Sequence, residues 1–253
     1  MGLKIFSISS SSGSRIPIPN NENLRTQDFT FNNAPMLELT DIDTCLEIMQ
    51  LREDYFDSPT QLSLATKART DAMKQSAPAM LPNAHIISMP MFTQSAFRFG
   101  DYYGHMALFP STSVMKTHAQ TTVPSSAPPT ILSDWLVDFY AHNEAKYELR
   151  IQLGTDPVHH PTEDASVVWD ERSAPWQSIG EVVFPKQEGV MGSERRVFWE
   201  ERVRLDPWMG LEAHRPLGSI NRLRRWVYGR SQRRRAELNA SENGYVESVD
   251  EIP

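Results

Sequence analysis

The chain has little cysteine, no long apolar run and no phosphate-binding loop, and each absence removes a class of protein. Its single cysteine, Cys45, excludes an internal disulfide framework and is typical of a reducing compartment. No stretch reaches the roughly 18 apolar residues of a membrane-spanning helix. The first eight residues carry one positive charge and too short an apolar run for a signal peptide. Segment 11–14 lacks the lysine of a P-loop. We therefore expect a cytoplasmic protein without a membrane span.

Composition favours a folded, acidic protein. The chain has 253 residues, a hydrophobic fraction of 40% and a formal net charge of -7. That charge argues against general nucleic-acid binding, and the length suffices for one large domain or two small ones. We expect a single domain over 1–239, followed by a polar, acidic and disordered tail over 240–253.

Periodicity predicts an α+β chain without internal repeats. Alternating apolar residues predict strands over 147–153, 176–184 and 196–205, which would form a meander of long antiparallel strands. Further strands are predicted over 2–8, 29–39 and 97–109, the last with a Gly-Asp turn inside it. Helical spacing predicts helices over 42–56, 59–74 and 131–142, and a terminal helix for which Ser219 is a plausible cap.

The terminal helix carries the most informative pair, Arg224 and Tyr228. Residues four apart share one helix face, so the guanidinium can reach the phenolic oxygen. A free phenol has a pKa near 10 and is a poor anionic ligand unless a cation and a metal favour the phenolate. Arg235 lies two turns further on, where it could pair with a carboxylate. The pattern indicates a helix that carries an iron ligand.

The alternative interpretation of this helix is a charged, solvated face. Arginine runs of this kind more often face water or attract anions. The run comprises Arg222, Arg224, Arg225, Arg230, Arg233, Arg234 and Arg235.

Other candidate sites are weaker. His159 and His160 with Glu163 and Asp164 have the residue types of a metal site at short spacing. His214, just before the terminal helix, could contact a substrate or simply bond to backbone. Four tryptophans are more typical of core positions than of a cofactor cage: Trp169, Trp176, Trp199 and Trp208.

Several ordered segments resemble small haem proteins of the catalase superfamily. The strongest matches lie over 163–169 (EDASVVW), 179–185 (IGEVVFP), 205–208 (LDPW) and 216–222 (PLGSINR), which precede the Arg-x-x-x-Tyr helix. Weaker matches lie over 1–6 (MGLKIF), 31–35 (FNNAP) and 95–101 (SAFRFGD). The resemblance covers nearly the whole chain.

The resemblance implies a fold, a cofactor and a set of site residues. The fold would be an antiparallel β-barrel of the catalase type, incomplete here, with flanking helices and a haem-proximal C-terminal helix. The cofactor would be haem b, with Tyr228 as the axial iron ligand, Arg224 as its charge partner and Arg235 as a propionate anchor. Asn32 would be the distal amide that orients peroxide.

The same comparison leaves a gap on the distal side. The family's distal histidine precedes the strand that matches 1–6, and none of the seven histidines stands in that motif. Arg230 also stands where large catalases carry aspartate. The chain could be truncated, completed by a partner or a homo-oligomer, or a remnant.

Two functions remain open at this stage. The first is a haem-dependent oxidoreductase that decomposes hydrogen peroxide or uses it to oxidise a small organic molecule, as in secondary metabolism. The second is a non-catalytic catalase-like remnant or a pseudoenzyme completed by a partner.

Overall fold

Strands and α-helices alternate along residues 1–19, 21–189, 194–239 and 245–253, which this computed structural model describes. The strands are β1 (Gly2–Ile5), β2 (Gln27–Thr30), β3 (Met91–Phe92), β4 (Phe97–Phe99), β5 (Tyr102–Pro110), β6 (Ala145–Leu153) and β7 (Trp176–Phe184). The helices are α1 (Ile42–Asp54), α2 (Pro59–Lys67), α3 (Ala72–Ser76), α4 (Ser113–Thr117), α5 (Ile131–His142), α6 (Glu194–Glu201) and α7 (Ser219–Leu238). The predicted α+β class is confirmed.

All strand pairs are antiparallel and form two sheets in the described residues. β1 pairs with β2, and the larger sheet has the order β3-β5-β6-β7 with β4 also paired to β5. A single bridge joins the sheets: the Asn32 N–H donates to the Phe92 carbonyl (2.8 Å), and the Phe92 N–H donates to the Asn32 carbonyl (2.6 Å).

The main core lies between the sheets and α5. Aromatic and aliphatic side chains of β2, β4, β5 and β6 meet Phe139 of α5 there. Phe29 and Phe97 pack edge to face with ring centroids 5.7 Å apart, a favourable aromatic geometry. Leu108 is fully buried, so the centre of β5 is shielded from water on this face.

Strands β6 and β7 and helix α5 were predicted, but β6 pairs with β5 on its other side, and the third strand of the predicted meander, over 196–205, is absent from the sheet. α5 and β7 have the predicted bounds, and β6 extends the prediction by two residues at its start. Gly100 has φ +63° in the tight turn between β4 and β5, a conformation that glycine adopts without strain. These strands differ in burial: five successive residues at the centre of β5 are buried, β6 is partly buried, and no residue of β7 is buried.

The predicted strand over 196–205 is wrong. The structure has α6 there, and its Arg196 Nε donates to Glu200 Oε1 one turn later at 2.7 Å. Arginine and glutamate are good helix formers, and this i,i+4 pair adds support. The apparent two-residue period had no buried face behind it, because Val197 and Trp199 are exposed. Trp199 is therefore not a core residue, whereas Trp169 and Trp208 are buried.

The predicted strand over 29–39 is also wrong beyond its first residues. β2 ends at Thr30, and Asn32 retains only its bridge to Phe92. The Asn32 side chain accepts a hydrogen bond from the Asn33 N–H (2.8 Å), which competes with strand pairing. Pro35 then has no N–H to offer a ladder.

Three helix boundaries can be compared with the capping and length expected from the sequence. Asp41 caps α1 by accepting from the Thr44 N–H at 2.9 Å. The helix predicted over 59–74 is split into α2 and α3. Gly218, with φ +85°, is the N-cap of α7, so Ser219 is its first residue rather than its cap.

The predicted disordered tail lies partly outside the described residues. The described part, 245–253, contacts the rest of the chain. Tyr245 packs on a buried cluster that includes Trp208 and Met209, and Val246 is buried. Ser248 and Glu251 form a capping box around a short 3₁₀ turn.

Candidate functional site

The start of α7 is fixed to the larger sheet. The segment before it runs along β4: the Arg98 N–H donates to the Arg215 carbonyl at 2.8 Å, and the Leu217 N–H donates to the Ala96 carbonyl at 2.9 Å. The buried Asn221 amide donates to the Ala96 carbonyl at 3.1 Å. Because a helix is rigid over two turns, these contacts set the position of Tyr228.

Arg224 points away from Tyr228. Its Nη1 donates to Asn221 Oδ1, one turn back, at 3.3 Å. Tyr228 lies one turn forward on the same face. The guanidinium is therefore directed to Asn221, and the pairing of Arg224 with the Tyr228 phenol stays a prediction.

Tyr228 lines a small polar cleft between α7 and the segment after α6. The cleft has a volume of about 260 Å³ and is lined by Val203, Arg204, Leu205, Tyr228, Ser231, Gln232 and Arg235. Arg235 shares this cleft with Tyr228, as its position on the helix predicted. Its Nη1 donates to the Glu200 carbonyl (3.2 Å) and its Nη2 to the Val203 carbonyl (3.3 Å). The arginine thus fixes the opposite wall of the cleft.

Arg204 adds a second cation to the cleft, and the sequence analysis missed it. Its side chain lies over the Tyr245 ring, with Cζ 5.8 Å from the ring centroid. Burial lowers the pKa of the Arg204 guanidinium, and burial raises the pKa of Tyr245 to about 12. No local pattern distinguishes Arg204 from the many other arginines of the chain.

A buried ion pair holds the cleft wall to β1 and β2. Lys4 Nζ donates to both carboxylate oxygens of Asp28 at 2.8 Å, and both side chains are almost fully buried. Asp28 Oδ2 also accepts from the Asp206 N–H at 2.9 Å. Burial raises the pKa of Asp28, and Lys4 opposes that shift. Burial, with the nearby Asp28 charge adding to it, raises the pKa of Asp206 to about 6.

Asn32 lies on a different cavity of about 320 Å³. Its described lining is mostly apolar: Asn32, Ala34, Pro35, Met36, Leu37, Glu38, Ala77, Pro78, Leu81, Gln94 and Val168. Asn32 is exposed, and because its Oδ1 accepts from Asn33, its Nδ2 group is the free donor. No described lining residue belongs to both the Asn32 cavity and the Tyr228 cleft.

Gln94 is a second residue that the sequence analysis missed. It is buried, has φ +60°, and its Nε2 donates to the Met36 carbonyl at 2.7 Å. The Ser95 N–H donates to the Thr93 carbonyl at 2.7 Å, so Gln94 is the centre of a γ-turn of the rare, strained form. A side chain other than glycine in this conformation gives no signal in the sequence.

Neither His214 nor the 159–164 segment forms a separate site. The His214 ring lies between Phe29 and Phe99, with centroids 5.9 and 6.1 Å away, and lines neither cavity. His160 is buried, and its Nδ1 accepts from the main-chain N–H of Thr155 at 3.2 Å. In the described part of the chain no three His, Cys, Asp or Glu residues form a metal-binding group.

Another polar cavity, near α5, was not predicted. His85 stacks on Trp135 with ring centroids 5.0 Å apart, and His118 lies 4.4 Å from His85 on the same centroid measure. Burial, with His118 contributing, lowers the pKa of His85 to about 4. Its Nδ1 accepts from the Ile87 N–H at 3.3 Å within the segment before β3, and the stacking on Trp135 ties that segment to α5.

The donor set of the Tyr228 cleft fits the proximal side of a haem, while its volume holds only part of the macrocycle. A phenolic oxygen and two guanidinium groups are suited to an iron and a carboxylate. The cleft is smaller than the roughly 300–1,000 Å³ of ordinary ligand pockets. The segment after α6 would have to move for a whole haem to enter.

Comparisons of the sequence with protein families and curated proteins found no significant match. No helix in the described ranges is long and apolar enough to cross a membrane.

Solved structures of catalases share the fold of this chain. A fungal catalase aligns with a TM-score of 0.63 and 13% identity over 83% of this chain and 45% of its own. Catalase A from Saccharomyces cerevisiae aligns with a TM-score of 0.57 and 14% identity, over 83% of this chain and 46% of its own. A bacterial catalase aligns with a TM-score of 0.51 and 11% identity, over 85% and 45%. The chain spans less than half the length of these structures, and it has a catalase-like fold.

Proposed function

We propose that the chain is a haem-dependent oxidoreductase that acts on hydrogen peroxide or uses peroxide to oxidise a small organic molecule. The observation that carries this proposal is the placement of Tyr228 and Arg235 in one cleft on a helix of a catalase-like fold. We further propose that the two sheets, joined at the Asn32–Phe92 bridge, correspond to part of a catalase-type barrel.

The residues of the cleft would divide the work of holding the cofactor. Tyr228 would bind the iron through its phenolate oxygen, and the cations of Arg204 and Arg235 would favour that anion. Arg235 would also bind a propionate, exchanging its main-chain carbonyl partners for a carboxylate. Arg224 would support the helix through Asn221 unless it turned toward Tyr228. A bound haem would supply the redox chemistry with peroxide.

On the distal side, Asn32 would orient peroxide by donating from its amide. An amide cannot accept the proton that peroxide must lose, and no histidine is among the described residues that line the Asn32 cavity. We therefore expect little peroxide dismutation, and more activity with an organic co-substrate.

Haem uptake tests the proposal. The chain, expressed with haem supplied, should show a Soret band, and Tyr228→Phe should lose it because the phenyl ring has no oxygen to bind iron. Tyr102→Phe is the matched control, since Tyr102 is an exposed tyrosine of β5, and it should keep the band. A wild-type chain that folds but takes up no haem would contradict the proposal and favour the non-catalytic alternative.

A further inference from the structure

The Asn32 cavity has the features of a small-molecule site in its own right. Its volume of about 320 Å³ lies within the range of ordinary ligand pockets, and its lining combines apolar side chains with a few polar groups. Its polar side chains are the amides of Asn32 and Gln94 and the carboxylate of Glu38.

The walls of the cavity are held by hydrogen bonds from three directions. The Leu37 N–H donates to the Ala165 carbonyl (2.9 Å), and Gln75 Nε2 donates to the Glu38 carbonyl (2.9 Å). Gln94 Nε2 donates to the Met36 carbonyl (2.7 Å). These bonds fix the loop after β2 in place, so the cavity is formed before any ligand enters.

The strained turn at Gln94 also points to function. A non-glycine residue at φ +60° costs free energy and persists where its surroundings fix it, often at a ligand site. Here the turn delivers a buried amide to the cavity wall. The Ser95 hydroxyl beside it is buried without a hydrogen-bond partner among the described residues.

The charge of the lining selects the class of ligand. Glu38 is the single charged side chain in the described lining, so a ligand carboxylate would be repelled and would also lose its hydration. A ligand ammonium would lose hydration too, against mostly apolar walls. A carbonyl or hydroxyl oxygen needs only one donor, and the free Nδ2 group of Asn32 can supply it.

We propose that the Asn32 cavity binds a neutral, largely apolar small molecule through one oxygen atom held by the Asn32 amide. The inference goes beyond the proposed function, because the binding it predicts depends on the described lining of the cavity and needs no haem.

Three compounds with the same adamantane cage test the charge preference: adamantanone, adamantylamine and adamantanecarboxylate. Their affinities for the haem-free full chain, measured by calorimetry or ligand-observed NMR, should rank in that order, with the ketone about tenfold or more tighter than the carboxylate. Carboxylate binding as tight as ketone binding, or amine binding tighter than ketone binding, would overturn the assignment.

Substitutions test the location. Val168→Trp should fill the cavity and weaken ketone binding about tenfold or more. Val158→Trp is the matched control, since Val158 is an exposed valine outside the cavity, and it should bind like the wild type. Asn32→Asp keeps the acceptor for Asn33 but removes the donor, so it should weaken the ketone and tighten the amine. Unchanged binding in Val168→Trp, with the chain folded by circular dichroism, would place the probe elsewhere and sink the proposal.

The same samples separate this inference from the haem proposal. Tyr228→Phe should bind the ketone like the wild type even where it loses the Soret band. Ketone binding without any haem uptake would contradict the proposed function and leave this inference standing. A Soret band without ketone binding in the Asn32 cavity would contradict this inference and leave the proposed function standing.

Discussion

The Asn32 cavity and the Tyr228 cleft are built by different kinds of interaction. The cavity is enclosed by apolar side chains and by hydrogen bonds between neutral groups. The cleft is bordered by arginines, and its wall is held to β1 and β2 through the buried Lys4–Asp28 pair. We therefore expect changes of charge to affect mainly the cleft and changes of side-chain shape to affect mainly the cavity.

Breaking the buried ion pair should have the largest effect. Lys4→Met leaves the Asp28 carboxylate buried without its cation and should lower the free energy of unfolding by about 3–5 kcal/mol. The double variant Lys4→Met/Asp28→Leu removes both charges and should be less destabilised, although the Asp206 N–H loses its acceptor. Urea denaturation measures both. Equal losses in the single and double variants would show that the unpaired charge is not the cause.

The dependence of stability on pH should have opposite signs at two buried groups, His105 of β5 and Asp206 beside the Tyr228 cleft. On the sheet side, burial lowers the pKa of His105 to about 4, so the unfolded chain binds the proton first and stability falls as the pH drops from about 6.5 to about 4. On the cleft side, Asp206 has its pKa raised to about 6, so the folded chain gains stability as the pH drops from about 6 to about 4. Each group changes the free energy of unfolding by at most roughly 3 kcal/mol.

Two variants separate these effects. Across that pH range, His105→Gln should remove the loss at low pH, and Asp206→Asn should remove the gain. Denaturant midpoints from about pH 7 to about pH 4 measure both changes. The same slope change in both variants would contradict the assignment.

Removing the arginine that closes the cleft should have a smaller effect. Arg235→Ala loses two hydrogen bonds to main-chain carbonyls and should destabilise the chain by about 1–2 kcal/mol. Arg234→Ala is the neighbouring control. Among the described residues Arg234 pairs with Glu237, both side chains are two-thirds exposed, and we expect a change within about 0.5 kcal/mol. Thermal unfolding measures both variants. Equal shifts in their melting temperatures would mean that the carbonyl contacts of Arg235 do not stabilise the chain.

The sequence predicted elements where burial and periodicity coincide. α5 and β7 have the predicted bounds because each pattern reflects a buried face or a regular strand pairing. The segment over 196–205 shows the opposite case, since its alternation is accidental and the local Arg196–Glu200 pair favours a helix. A two-residue period predicts a strand correctly only where a partner strand exists, and the sequence does not show which segments pair.

The candidate site shows a similar limit. The helix that carries Tyr228 and Arg235 was predicted, and both residues line one cleft. The partners of the arginines were not predicted, because Arg224 bonds to Asn221 and Arg235 bonds to carbonyls of a distant segment. The strained turn at Gln94 had no sequence signal, since its conformation is imposed by the surrounding fold.

The bridge between Asn32 and Phe92 is the one strand-type pairing between the two sheets in the described residues, and this bears on cooperativity. Two main-chain hydrogen bonds are a weak coupling compared with the pairing inside each sheet. The packing of Phe29 of β2 on Phe97 of β4 supplies the stronger link, so we expect the sheets to open together and the Asn32 and Phe92 amides to exchange with solvent at the rate of that shared opening. Because Asn32 also lines the cavity, the same opening would release a ligand held by its side-chain amide.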